Sequence, residues 1–211
     1  MIVQEPKKDL LILVADKDME MAIKGILERT ESLGIREITY DVFSHSRHDP
    51  GCCLNSYSFL RPFSGSYSYS LVIFDREGCG KENKLRDELE KEVEKLLEIN
   101  GWPDERAKVI VLDPELETWV WSGSPHVRDI IGWKNVPNRP RLREWLSDQG
   151  FLEGDELRIS RPKEAVEAVR RFTKKAKSPA LFYQLGQRVS LKNCNDPSFI
   201  KLKSTLQNWF S

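Results

Sequence analysis

Leu71-Val72-Ile73-Phe74-Asp75-Arg76-Glu77-Gly78-Cys79-Gly80, "LVIFDREGCG", runs four apolar residues straight into two carboxylates and then into a glycine-flanked loop. The apolar run is bounded by turn residues and suits a buried strand. Two like charges at the mouth of a core either cap the next element or hold something positive there. Gly78 and Gly80 follow, not a helix start, so capping is the poorer account of Asp75 and Glu77.

The neighbouring segments repeat the pattern. "DLLILVAD" (9–16) is another short apolar run ending in acid. After it Met19, Ala22, Ile23, Ile26 and Leu27 recur at helical spacing, which predicts a helix over 18–31 closed by Gly34. "IREITYDVF" (35–43) alternates as a strand does. Residues 44–69, rich in Ser, Gly, Pro and Tyr, read as a long loop. The strand at 70–74 precedes an amphipathic helix over 81–100, with Leu85, Leu89, Val93, Leu96 and Leu97 on one face. "AKVIVLD" (107–113) is the next strand, and Asp113-Pro114 reads as N-cap and first residue of another helix. Strands alternating with helices predict an α/β fold with a mostly parallel, doubly wound sheet.

Beyond about residue 135 the strand signals stop. "RPRLREWLSDQG", "SRPKEAVEAVRRFTKKAK", "ALFYQLGQRVS" and "DPSFIKLKSTLQNWF" all read as helices, the last capped by Asp196 with Pro197 behind it. The expected organisation is an α/β domain over 1–135 and a helical, basic region over 136–211 packed on or beside it.

Composition narrows the function classes. A chain of 211 residues with 39% apolar residues can bury a real core. No run approaches the roughly 18 apolar residues needed to span a bilayer, and the N-terminus lacks a signal-peptide apolar stretch. Cys52, Cys53, Cys79 and Cys194 show no framework spacing, which points to reduced thiols and a cytoplasmic protein. The net charge of zero hides a division. Residues 1–157 carry 21 Lys+Arg against 30 Asp+Glu, and residues 158–211 carry 12 against 3, so the halves are −9 and +9. Either the basic part faces an anion, nucleic acid being the commonest, or the two halves attract each other.

The acids are the chemistry-bearing residues. Residues i and i+2 of a strand point to one side, so Asp75 and Glu77 would project together if the strand runs through them. Ligands of parallel sheets bind at strand C-terminal ends. Three strands here end in acid: at Asp16 and Asp18, at Asp75 and Glu77, and at Asp113 with Glu115 and Glu117 beyond. Converging carboxylates raise each other's pKa unless a cation lies among them. Hard oxygen ligands without imidazole or thiolate suit Mg²⁺ or Mn²⁺, the usual device for attack on a phosphodiester. Each acid also has a plainer role: Asp16 or Asp18 as a helix cap, Asp113 as a cap, Glu115 in a first helical turn.

Other motifs are weaker. "GCGKEN" has Asn83 where a dinucleotide loop needs glycine, and Glu82 where a Walker A loop needs Ser or Thr. "HSRHDPGCC" offers His45, His48, Cys52 and Cys53 without a second ligand pair at zinc-finger spacing. That segment is better read as a substrate contact through Arg47 and His48, or as an exposed turn at Asp49-Pro50-Gly51. Arg161, Lys163, Arg170, Arg171, Lys174, Lys175 and Lys177 fall partly at helical spacing, as a stripe along a phosphate backbone or as a solvated face.

The motifs "LVADKDME", "HDPGC", "LRPF", "FDREGCG", "DPELETWVWS", "RPKEA" and "SLKNCNDPSFIKLKSTLQNW" together resemble the Toprim-like superfamily. More closely, they resemble the small Toprim-like component of bacterial methylation-associated defence systems. The resemblance implies a Mg²⁺-dependent phosphoryl-transfer site, hence a nuclease or nuclease-related subunit acting on DNA or RNA beside other defence-system proteins, away from membranes. It implies Asp75 and Glu77 as the paired acids, written DxD in the superfamily and DxE here. Glu117 falls on an acid that related families place before a tryptophan. Where the superfamily carries a first-strand glutamate this chain has Val14-Ala15-Asp16, so Asp16 stands in its place, shortened and shifted by one residue. A non-catalytic adaptor that binds metal or nucleotide is the alternative. A phosphoacceptor receiver domain ranks last, since no hydroxyl residue ends the fourth strand.

Overall fold

The computed structural model describes residues 7–121, 123–136, 138, 140–153, 158–192 and 194–211. Strand β1 (Lys8–Val14) leads into helices α1 (Lys17–Leu27) and α2 (Thr30–Leu33). Then come β2 (Tyr40–Ser44), α3 (His48–Leu60), β3 (Tyr67–Asp75), α4 (Arg86–Ile99) and β4 (Ala107–Leu112). Short helices α5 (Glu117–Val120) and α6 (His126–Ile130) precede α7 (Leu142–Asp148) and the strand pair β5 (Leu152–Glu153) and β6 (Arg158–Ile159). Helices α8 (Pro162–Thr173), α9 (Pro179–Arg188) and α10 (Pro197–Phe210) end the chain.

Strands β1 to β4 form one sheet in the order β2-β1-β3-β4, with every neighbouring pair parallel. A parallel sheet needs long crossovers that cover both faces, so its inner strands are buried throughout. Leu10 to Val14 and Leu71 to Phe74 have no exposed surface. The α/β class, the parallel sheet flanked by helices and the helical C-terminal region are as the sequence predicts. Right-handed crossovers put α1 on one face of the sheet and α3 and α4 on the other. No helix among the described residues is long and apolar enough to cross a membrane.

Four local expectations are corrected. Residues 44–69 are not a long loop, because α3 occupies His48–Leu60 and β3 begins at Tyr67. The helix escaped notice because its buried face is Gly51, Cys52, Cys53, Ser56 and Leu60, small residues without a strong apolar period. The second strand starts at Tyr40 and not at residue 35. Asp113 caps no helix: α5 starts only at Glu117, and Asp113 accepts from Arg76 Nε at 2.8 Å. Beyond residue 135 the chain also makes the short antiparallel pair β5–β6.

The C-terminal helices share the body's core. Gly25 of α1 faces Gly186 of α9, and a Cβ on Gly25 would sit on the Tyr183 carbonyl, one on Gly186 on the Ala22 carbonyl. The missing side chains let the two helix backbones touch. At the other side, α10 helps seal the sheet edge. The N–H groups of Val109 and Val111 donate to Glu94 Oε1 and Glu90 Oε1, both at 3.0 Å. Lys201 donates to the Val109 carbonyl at 2.8 Å and pairs with both glutamates, at 3.0 and 2.9 Å. Side chains thus occupy backbone groups that an open edge would offer to another strand.

Candidate functional site

The chain leaves β1 toward β2 and later returns to the opposite side of β1 to make β3. The crevice between the C-terminal ends of β1 and β3 is therefore a topological switch point, where open α/β sheets bind ligands. Asp16 follows β1 and caps α1, accepting from Met19 N–H at 2.8 Å. Asp75 is the last residue of β3. Its N–H donates to Asp49 Oδ1 at 2.8 Å, which ties it to the first turn of α3. Its Oδ1 accepts from Leu116 N–H at 2.9 Å, which ties it to the turn before α5. Glu115 and Glu117 flank that leucine, 3% and 7% exposed.

These groups act on one another electrostatically. Burial, then Asp49, Glu117, Asp16 and Glu115, push the Asp75 carboxyl well above the usual carboxylate range. Burial and then Glu115 push Glu117 up to about 7. Burial raises Asp49, with Asp16 adding to it. Burial raises Glu115, against the pull of Lys163 and with a push from Glu77. Lys163 is the cation set directly against the group, its N–H 2.8 Å from Glu115 Oε1 and its ammonium 3.4 Å from Oε2. Burial works against its charge, yet Glu115, Glu117 and Asp75 hold its pKa above the ordinary lysine value. Lys163, with Lys177 acting on Glu117 as well, cannot neutralise Asp16, Asp49, Asp75, Glu115 and Glu117 together, so their charged forms repel.

Among the described residues no three Asp, Glu, His or Cys side chains stand ready as a metal cage. The donor set is nevertheless all carboxylate, the chemistry of Mg²⁺ or Mn²⁺. Mg²⁺ keeps several waters and needs only one or two protein carboxylates, so Asp75 and Glu117 fit that mode without a preformed cage.

Of the residues singled out in the sequence, Asp16, Asp75, Glu117 and Lys163 come together. Glu77 is exposed and lies beyond the strand end, where it acts on Glu115, so alternation along the strand does not reach it. Asp49 takes the position beside Asp75 instead. Arg47 and His48 are exposed at the start of α3, next to Asp49, with Arg47 bonded to Asn55 Oδ1 at 3.1 Å. Arg161 lies over the Phe151 ring at 5.1 Å. Arg170 is buried and paired with Glu167 at 2.7 Å, so it lies off the predicted basic stripe. Arg171 and Lys174 are exposed near the far end of α8 from Lys163. Asp49 and Glu115 are the acids that sequence reasoning left in plain roles. Pro50 in a first helical turn was a usable sign for Asp49, but nothing local marked Glu115.

No family model matches the chain, and no curated protein or solved structure gives a significant match.

Proposed function

We propose that the protein is a Toprim-like, Mg²⁺- or Mn²⁺-dependent nuclease or nuclease-related subunit that acts on DNA or RNA in bacterial antiviral defence. The observation that carries this reading is the meeting of buried and half-buried, mutually repelling carboxylates at the switch point, with Asp75 at its centre. Structural ion pairs relieve charge, whereas this group accumulates it, which is what a site for a cation does. In this reading Asp75 and Glu117 hold the metal, which when bound offsets phosphate charge and activates water. Asp49 and the Leu116 N–H keep the Asp75 carboxylate in position. Asp16 orients water from the side of β1, and Glu77 stands at the rim. Lys163, Arg47 and His48 line the approach as donors to phosphate, and Arg161, Arg171 and Lys174 extend it along the basic C-terminal region. The protein works in the cytoplasm with other defence-system proteins.

The test uses purified protein with Mg²⁺ or Mn²⁺ on plasmid, single-stranded DNA and RNA. Cleavage that depends on the metal and disappears in Asp75→Ala is the expected result. Cleavage that survives Asp75→Ala removes this crevice from the mechanism.

A second reading, a non-catalytic adaptor in a multi-protein complex, is favoured by one observation. Asp16, standing where the superfamily has its glutamate, commits Oδ1 to capping α1. Calorimetry separates the two, since the adaptor needs no divalent-metal binding at millimolar Mg²⁺.

A further inference from the structure

A second cleft lies between α5 and α6 on one side and α7 with β5–β6 on the other. Its volume is about 400 Å³, within the roughly 300–1,000 Å³ of small-molecule sites. Trp121, Val127, Leu142 and Leu146 form an apolar lining, and Arg128, Arg141 and Arg143 stand among them. A neighbouring hollow of about 340 Å³ shares Arg128, Arg141 and Leu142. Among the described residues no acid lines either one.

Two of these guanidinium groups, those of Arg128 and Arg141, have little to satisfy them among the described residues. Arg141 is 87% exposed and approaches Glu144 only to 3.8 Å. Arg128 is exposed and makes no ion pair with a described residue. Like charges converging on an apolar surface complement a ligand that is anionic at one end and flat and apolar at the other. Guanidinium forks match phosphate oxygens in pairs, and an indole offers a stacking face. Trp121 is held in place, because its indole N–H donates to the Pro162 carbonyl at 3.0 Å. A fixed aromatic surface loses little entropy when a ring stacks on it.

We propose that this cleft binds a nucleoside phosphate, with the base against Trp121 and the phosphate between Arg128 and Arg141. The site is separate from the carboxylate crevice and needs no metal. The experiment is calorimetry on the full chain in EDTA, titrating AMP and ATP beside adenosine alone and pyrophosphate alone. EDTA removes any contribution from nucleotide bridged by metal to the acids, so failure here leaves the nuclease reading standing, and the reverse. The nucleotides are expected to bind at least tenfold more tightly than adenosine or pyrophosphate. Arg128→Glu and Arg141→Glu are each expected to weaken binding at least tenfold without lowering the melting temperature. Arg128→Gln provides a milder variant with the same direction. Absence of nucleotide binding at millimolar concentration overturns the proposal. So does equal affinity for adenosine, equal affinity for pyrophosphate, or binding indifferent to both arginines.

Discussion

Glu117 is 7% exposed, and burial together with Glu115 lifts its pKa from 4.5 to about 7. Exchanging it for Gln keeps the shape and removes the charge. Below about pH 4.5 the carboxyl is neutral in folded and unfolded chains alike, so its ionisation costs nothing. Between about 4.5 and about 7 the unfolded chain gives up the proton while the folded one keeps it, and stability falls as pH rises. Above about 7 the penalty is complete. A rise from 4.5 to about 7 corresponds to about 3 kcal/mol at most, the coupling to Glu115 reducing it. For a chain of this size each kcal/mol moves the melting temperature by about 2–4 °C, so Glu117→Gln should melt higher at pH 8.5, by roughly 6–12 °C at most. At pH 4.5 the two proteins should melt together. Differential scanning calorimetry in EDTA at both pH values measures this. If the carboxylates also hold metal, millimolar Mg²⁺ raises the wild-type melting temperature at pH 8.5 and leaves Glu117→Gln nearly unmoved. A variant less stable than wild type at both pH values refutes the reasoning, since the carboxylate would then be making a bond that stabilises the fold.

Lys201→Met removes the cation that joins Glu90, Glu94 and the Val109 carbonyl. Breaking a buried pair costs about 3–5 kcal/mol, so urea denaturation should show a loss of that order, and light scattering should show strand-edge association on warming. Gly186→Ala forces a methyl onto the Ala22 carbonyl, and overpacking of this kind costs about 1–3 kcal/mol or more, read as a lower urea midpoint; an unchanged midpoint would mean that α1 and α9 part easily. Lys163→Met leaves Glu115 without its ammonium, so the melting temperature should fall at pH 8.5 and the loss should shrink as pH falls and the carboxyl, whose pKa is raised, takes up its proton.

The sequence by itself determined the elements whose signal is local. β1, β3 and β4 were legible because strands buried on both faces must be continuously apolar, and α4 and α10 because their apolar residues follow the helical period. Asp196 announced the start of α10, and accepts from Ser198 and Phe199 N–H as a cap does. Parallel order followed from the alternation of these elements, and with it the expectation that Asp16, Asp75 and Glu117 lie at one edge of the sheet. Tertiary structure decided the rest. α3 buries glycine, cysteine and serine, so only its seat against β1, β3 and α4 reveals a helix there. Asp49 and Glu115 join Asp75 because α3 and the turn after β4 happen to converge, which no residue in either segment encodes alone. Glu77 lies at the rim, exposed and acting on Glu115, because β3 stops at Asp75, and an alternation of two ends where the strand ends. Arg170 leaves the basic stripe because the face of α8 that carries it turns inward. Local patterns settle which face of an element is apolar; which charges meet depends on how those faces are stacked.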